Sequence, residues 1–199
     1  FVIKPVRLEE LLLRLKRVLK ERELTKERVR MMEKLQKLAV TDGLTKLYNS
    51  RSFYSQLELE VDRFNRYKHP LALLLLDIDN FKAINDSCGH DGGDDILVSI
   101  AECMQGWMRE KDVLARWGGE EILILLSDTG VDSATEQAER LRLAIEKETF
   151  SIQQNPMHIT ASLGVAGYQE DEGIDDCIKN ADIALYRAKE QGRNRVVVQ

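Results

Sequence analysis

The sequence predicts an α+β fold in which helices cover a mixed central sheet and a long helix precedes it. Residues 8–40 contain neither Gly nor Pro, which favours one continuous helix. The apolar run Leu71–Ile78 suits a strand buried on both faces, and Gly118-Gly119 between two apolar segments indicates a hairpin. Because helices and strands otherwise alternate, this hairpin makes the sheet mixed rather than purely parallel.

The long helix has apolar residues at alternating three- and four-residue steps from Leu8 to Ala39. This heptad spacing predicts a coiled coil with a second copy of the chain, although the seam weakens at Arg22 and Thr25. The alternative is a single amphipathic helix that lies on its own domain. We expect residues 21–40, which are dominated by charged side chains, to be a helical linker.

A compact domain, residues 41–199, is expected to begin at the polar break from Thr41 to Thr45. Apolar periodicity assigns its helices and strands in turn. The predicted elements are helices near Phe53–Phe64, Asp94–Arg109, Ala134–Ile145 and Ile174–Ala188, and strands at Leu71–Ile78, Val113–Trp117, Ile122–Leu126, Ile159–Tyr168 and Arg195–Val198.

The composition excludes several function classes. A chain of 199 residues, 43% hydrophobic, is not a disordered tail. With 29 Lys and Arg against 34 Asp and Glu, the net charge of −5 disfavours a nucleic-acid partner and makes any phosphate site local. The run Leu71–Leu76 is far shorter than the roughly 20 residues that span a bilayer, so no membrane contact is expected. Scattered Cys88, Cys103 and Cys177 suggest a reducing compartment without structural zinc.

Acidic residues stand where two predicted strands end. Strand alternation sends Asp77 and Asp79 to the same side, as for magnesium ligands on a rigid base. Glu120 and Glu121 follow the two glycines of the hairpin, which would bring a third oxygen ligand near Asp77. The alternative is that all these carboxylates are solvated loop residues.

Two further segments combine amides, glycines and cations. Between residues 80 and 94 an open stretch presents backbone N–H groups and Lys82 to phosphates, and Asn85 with Asp94 offers the hydrogen-bonding groups that guanine needs. An Asx turn at Asn85 and an N-cap at Asp94 are the alternatives. At the end of the last helix, Lys189 and Arg193 either reach a triphosphate or merely complement the helix dipole.

Together these segments resemble the GGDEF domain of diguanylate cyclases over about four fifths of the chain, from Thr41 to Gln199. The resemblance implies a sheet similar to the palm of polymerases and nucleotidyl cyclases, with a ferredoxin-like core. One departure is Ile122, where the family signature has Phe. The matching segments are 41–49 (TDGLTKLYN), 77–82 (DIDNFK), 85–94 (NDSCGHDGGD), 118–121 (GGEE) and 188–194 (AKEQGRN).

The resemblance implies synthesis of cyclic di-GMP from two GTP molecules, with release of two pyrophosphates, by metal-assisted attack of a 3′-OH on an α-phosphate. Because one chain carries one set of these residues, the active species is expected to be a homodimer. Carried over residue by residue, the resemblance implies that Asp77, the carbonyl of Ile78 and Glu120 are ligands of Mg²⁺ or Mn²⁺, and that Glu121 assists Asp77 and Glu120 in catalysis. It further implies that Asn85 and Asp94 bind guanine. The residues that match its phosphate contacts are Phe81, Lys82, Lys189 and Arg193.

Two more features are interpreted through the same resemblance. Arg109 and Asp112 fit the RxxD pattern of an inhibitory site for the product, although such a pair is often a surface ion pair. Lys4-Pro5 with residues 8–14 resembles the last strand-to-helix turn of a receiver domain. We therefore expect residues 1–20 to be a receiver remnant, and the chain to be the C-terminal part of a cytoplasmic response regulator.

Three other functions compete with this hypothesis. The first is an inactive GGDEF domain that acts as a receptor for cyclic di-GMP or GTP, which Asp77, Glu120 and Glu121 argue against. The second is a cyclase that acts on ATP or on mixed purines, which Asp94 argues against. The third is a purely structural dimerisation module, which leaves the charged segments unexplained.

Overall fold

The computed structural model describes residues 8–38, 40–152, 155–170 and 172–199. The chain divides into two compact units, one ending at residue 39 and the other beginning at residue 40. The predicted strand end and proline turn at residues 1–5 lie outside the described residues.

The first unit is the helix α1, Leu8–Leu38. Its presence confirms the predicted long N-terminal helix. Large apolar side chains along it are exposed, from 48% for Leu12 to 69% for Leu13. An exposed apolar helix surface of this kind suits packing against a second helix. The coiled coil between two copies of the chain stays a prediction. No helix among the residues described is long and apolar enough to cross a membrane.

Among its described residues, the second unit contains a six-stranded sheet, a separate antiparallel pair of short strands and four helices. In chain order these elements are β1 Tyr48–Asn49, α2 Ser50–Tyr67, β2 Leu71–Ile78, α3 Phe81–Gln105, β3 Val113–Gly118, β4 Glu121–Ser127, α4 Val131–Lys147, β5 Phe150–Ile152, β6 Asn155–Met157, β7 Ala161–Gly167, α5 Ile174–Glu190 and β8 Val196–Val198.

The sheet is mixed, as the sequence predicts, with strand order β1-β3-β4-β2-β7-β8. Strand β2 lies near its centre and is antiparallel to β4 and β7, whereas β1 with β3 and β7 with β8 are parallel pairs. The register places Asp77 of β2 opposite Glu121 on β4 and opposite Ser162 on β7. Strand pairing therefore brings the first acidic segment beside the second.

Helices cover both faces of this sheet. Alternate residues of β2 belong to two separate apolar clusters: Leu74 and Leu76 pack with α3 and α4 on one face, and Leu73 and Leu75 pack with α2 and α5 on the other. This arrangement explains why the apolar run of β2 has no polar alternation. Helix α5 approaches β7 closely, since a Cβ at Gly164 would lie 2.1 Å from the backbone oxygen of Ala181.

The main difference from the sequence prediction concerns residues 80–94. They are not an open stretch that precedes a helix at Asp94, because α3 already begins at Phe81. Phe81 and Ile84, one helical turn apart, pack against the core, and the chain kinks at Gly89, where φ is 75°. The helix also ends at Gln105 rather than at Arg109. Strands β1, β5 and β6 were not predicted, because two or three residues show no periodicity.

Candidate functional site

The acidic residues of β2 and of the β3–β4 turn face one cavity. Gly119 takes a left-handed conformation (φ 52°) that allows the tight turn between the strands, and Glu120 follows it directly. Asp77, Ile78 and Glu120 line the same cavity of about 400 Å³. The sheet thus brings together the two carboxylates that the resemblance assigns to a metal.

The electrostatics of this cavity favour a bound cation. Burial raises the pKa of Asp77; the hydrogen bond and charge of Lys189 oppose this effect, and the charges of Glu120 and Asp79 add to it. Burial also raises the pKa of Glu121, and the charge of Asp77 adds to that shift. The Lys189 ammonium lies 2.7 Å from Asp77 Oδ2. The acidic cluster therefore already attracts a positive charge, which here is a side chain.

The donor atoms fit a hard divalent cation. Carboxylates and a carbonyl are the ligands that Mg²⁺ and Mn²⁺ prefer, and Asp77, Glu120 and the residue Ile78 all border the cavity. Within the described ranges, no three His, Cys, Asp or Glu side chains are grouped so that they alone could hold a metal. Two carboxylates would therefore need further oxygen ligands from a carbonyl, from water or from phosphate.

The cationic residues lie around the same cavity. Phe81 and Lys82 form the start of α3, where backbone N–H groups without intrahelical partners favour anions. Lys189, in the last turn of α5, and Arg193, just after that helix, line the same cavity. All four residues predicted to contact phosphate thus border the cavity that contains Asp77.

An adjoining cavity of about 450 Å³ contains both predicted guanine-binding residues, Asn85 and Asp94. They stand on either side of the kink in α3 at Gly89. The Asn85 side chain lies against the backbone at Gly93, where an added Cβ would be 1.9 Å from Asn85 Oδ1. The two cavities share wall residues, so a single nucleotide could occupy both. The shared residues are Phe81, Lys82, Asp86 and Glu120.

Asp79 does not join the cavity wall, contrary to the expected pairing with Asp77. Its Oδ1 accepts a hydrogen bond from the Ser162 hydroxyl (2.7 Å). Its Oδ2 accepts from the Thr160 hydroxyl (2.7 Å) and from the backbone N–H of Asn194 (3.0 Å). Strand β2 ends at Ile78, so strand alternation no longer applies to Asp79. This network could not be predicted from the sequence, because its members are far apart along the chain.

Arg116 was also missed as a site residue. Its Nε donates to the Gly119 carbonyl (2.9 Å), and its guanidinium donates to Asp42 Oδ1 (3.3 Å). Burial raises the pKa of Asp42, but hydrogen bonds from Thr45 and Arg116 outweigh burial and hold that pKa below its usual value. The glycine turn is therefore tied to the polar segment that opens the domain. The sequence feature that could have identified Arg116 is its position as a single charged residue within otherwise apolar hairpin strands.

A separate cavity of about 420 Å³ contains Arg109 and Asp112. Asp112 is buried, and its Oδ2 accepts from the backbone N–H of Arg109 (3.0 Å) and from Gln137 Nε2 (3.2 Å). Asp112 Oδ1 is buried and has no hydrogen-bond partner within the described part of the chain. Asp112 therefore holds the backbone of Arg109 beside the cavity and leaves one buried oxygen unpaired, which costs free energy.

Comparison with known proteins decides the family. The sequence model described as "Diguanylate cyclase, GGDEF domain" matches residues 39–195. The chain belongs to this GGDEF family. Diguanylate cyclase DgcM of Escherichia coli K12 is 41% identical over 171 residues, which are 86% of this chain and 41% of DgcM. The response regulator PleD of Caulobacter vibrioides is 35% identical over 197 residues, or 98% of this chain and 43% of PleD.

A solved structure supports the GGDEF fold. The coiled coil and GGDEF domain of DgcB from Caulobacter crescentus, in complex with cyclic di-GMP, has a TM-score of 0.78 at 28% identity and covers 93% of this chain and 99% of that chain. The predicted α+β fold with a long N-terminal helix is confirmed. The GGDEF chain spans about two fifths of the length of DgcM and PleD.

Proposed function

We propose that this chain is an active diguanylate cyclase domain, which condenses two GTP molecules into cyclic di-GMP and two pyrophosphates. The observation that carries the proposal is the shared cavity: Asp77 and Glu120 border it together with Lys82, Lys189 and Arg193. Phosphoryl transfer requires carboxylates that hold a metal ion and basic side chains that bind the polyphosphate.

Asp77, Glu120 and the carbonyl of Ile78 would hold the divalent cation, Mg²⁺ or Mn²⁺, and Glu121 would assist from the adjacent strand. When bound, the cation lowers the pKa of the attacking ribose 3′-OH and neutralises charge on the departing pyrophosphate. In each half-reaction one bond forms from the 3′ oxygen to the α-phosphorus, and the bond from that phosphorus to pyrophosphate breaks. The hydroxyl proton leaves to solvent.

The remaining residues orient the nucleotide. Asn85 and Asp94 would bind the guanine edge, since a carboxylate accepts from the N1–H and the exocyclic amine that adenine does not offer in that arrangement. Phe81, through its backbone, and Lys82 would contact the phosphates from α3. Lys189 and Arg193 would contact them from the end of α5 and the turn after it. Because Lys189 pairs with Asp77, it would exchange that carboxylate for phosphate when the cation and GTP bind.

The reaction requires two nucleotides that face each other, and the described residues form one such site. We therefore infer a homodimer with one GTP in each half. The exposed apolar residues of α1 support pairing through that helix. The related DgcB was crystallised with its coiled coil.

Two finer proposals concern regulation. The cavity bordered by Arg109 and Asp112 would bind cyclic di-GMP as an inhibitory product site, in which the Arg109 guanidinium contacts guanine or phosphate and Asp112 holds the Arg109 backbone. A receiver domain upstream of residue 20 would control dimer geometry through α1. The match of 98% of this chain to part of the response regulator PleD supports that linkage.

Incubation of the purified chain with Mg²⁺ and GTP, followed by chromatography of the nucleotides, tests the proposed function. We expect cyclic di-GMP and pyrophosphate from GTP, no cyclic dinucleotide from ATP, and loss of turnover in Glu120→Gln. Ile122→Phe, two residues further along the chain in β4, introduces the residue of the family signature; it serves as the control and should stay active. Cyclic di-GMP binding without any turnover would instead show a receptor.

A further inference from the structure

Asp79 is a buried carboxylate that the proposed reaction does not use, with 5% of its surface exposed. Its two oxygens accept the three hydrogen bonds from Ser162, Thr160 and the backbone N–H of Asn194. A carboxylate engaged by three donors is held rigidly and is not free to coordinate a cation. Two of its donors come from the start of β7 and the segment before it, and the third comes from the turn after α5.

That turn has an unusual backbone. Gly192, Arg193 and Asn194 follow one another with positive φ angles of 107°, 61° and 47°. Glycine adopts such angles freely, but a residue with a Cβ such as arginine does not, so surrounding contacts must hold the conformation. The backbone N–H of Arg193 bonds to the Ala188 carbonyl (3.0 Å), which closes the end of α5. On the other side of Arg193, the next backbone N–H bonds to Asp79.

The Asn194 side chain is held as well. Its Oδ1 accepts from the buried Arg142 guanidinium (2.7 Å), and its Nδ2 donates to Glu146 (2.7 Å). Arg142 also donates to Glu146 (2.9 Å), so α4 presents a preformed pair to this amide. Asn194 is thereby fixed from two directions, by α4 through its side chain and by Asp79 through its backbone.

We propose that Asp79 is a positioning residue for the triphosphate: by fixing the backbone of Asn194 it holds the strained turn that keeps Arg193 in the wall of the cavity containing Asp77. This inference rests on the proposed function, in which Arg193 contacts the phosphates. Without the Asp79 acceptor, the turn relaxes toward ordinary backbone angles and Arg193 moves away from the cavity.

The test measures binding of α,β-methylene-GTP, which cannot release pyrophosphate, to the purified chain with Mg²⁺ by calorimetry. We expect Asp79→Asn to weaken binding about tenfold, because the neutral amide oxygen accepts the Asn194 N–H about half as strongly as the carboxylate does. Thr160→Val is the matched control: it removes a hydroxyl bond to the same Asp79 oxygen but leaves the Asn194 N–H bonded, so its affinity should stay within about twofold of wild type.

A double-mutant cycle separates positioning from other effects. In an Arg193→Gln background, adding Asp79→Asn should cost less than about a further twofold, because Asp79 acts through Arg193. A full tenfold loss in that background would overturn the inference, since Asp79 would then act on the metal or on the fold. Wild-type affinity in Asp79→Asn would overturn it too. If the wild-type chain did not bind the analogue at all, the proposed function itself would fail.

Hydrogen exchange gives a readout that does not depend on the ligand. The Asn194 amide should be protected in the wild-type chain and should exchange at least about tenfold faster in Asp79→Asn, whereas the Arg193 amide, bonded to Ala188, should change less. If Asp79→Asn does not fold, an amide-to-ester substitution at Asn194 removes the N–H donor and leaves the Arg193 carbonyl in place as a weaker acceptor for Arg195. That variant should show the same tenfold loss of analogue binding, and unchanged binding would overturn the inference.

Discussion

Replacement of Gly93 by Ala should separate stability from activity. An added Cβ would lie 1.9 Å from Asn85 Oδ1 and 3.2 Å from the Phe81 ring. The closest atom is the end of a side chain, so the fold can accommodate the methyl group when Asn85 rotates away. Alanine also favours a helix over glycine by about 1 kcal/mol, which offsets the crowding. We expect the melting temperature of Gly93→Ala to stay near that of the wild type.

The cost falls on the proposed guanine site instead. Asn85 Oδ1 must move by more than about 1 Å to reach normal contact with the new methyl group, and a displacement of that size costs on the order of 100-fold in a positioned reaction. We therefore expect kcat/KM for GTP in Gly93→Ala to fall about 100-fold in a pyrophosphate-release assay. Gly106→Ala, at the end of the same helix with its nearest contact at 3.4 Å, is the control. Unchanged activity, or unfolding in parallel with lost activity, would refute the reasoning.

Three further predictions address other groups. Lys189→Met leaves the buried Asp77 carboxylate without its cation, so metal-free unfolding should cost about 1–2 kcal/mol less in a urea titration, and added Mg²⁺ should recover part of the loss. The fold lowers the pKa of Asp42, so the ionised Asp42 carboxylate stabilises the fold fully above its ordinary pKa of 3.8, and this stabilisation is lost as the pH falls below that value. In Asp42→Asn, the free energy of unfolding should therefore decrease less steeply as the pH is lowered. Arg109→Ala and Asp112→Asn should each weaken cyclic di-GMP binding about tenfold in calorimetry and relieve product inhibition, while the initial rate of GTP turnover stays unchanged.

Some parts of the fold could be predicted because one local signal sufficed. The apolar run of β2 is typical of a strand covered on both faces, and the two glycines before Glu120 indicate a tight turn. The long helix α1 followed from the absence of Gly and Pro. In each case the neighbouring residues alone decide the backbone conformation.

Other parts depend on tertiary contacts. Residues 81–88 carry several polar side chains and are followed by Gly89, a pattern that suggests a loop. They are nevertheless helical, because Phe81 and Ile84 pack on the core. The role of Asp79 depends on Thr160 and Asn194, which lie 81 and 115 residues away. Contacts between residues so far apart in sequence leave no local pattern that could be recognised. Asp77 and Glu120, by contrast, were identified from the family motifs, without reference to the sheet.

Binding of Mn²⁺ measured by electron paramagnetic resonance, in the presence of α,β-methylene-GTP, tests most directly whether Asp77 and Glu120 share a cation beside the nucleotide. We predict that the wild-type chain binds Mn²⁺ together with the analogue, and that Asp77→Asn and Glu120→Gln each weaken this binding at least about tenfold, as expected for loss of a ligating carboxylate. Undiminished Mn²⁺ binding in both variants would contradict the account.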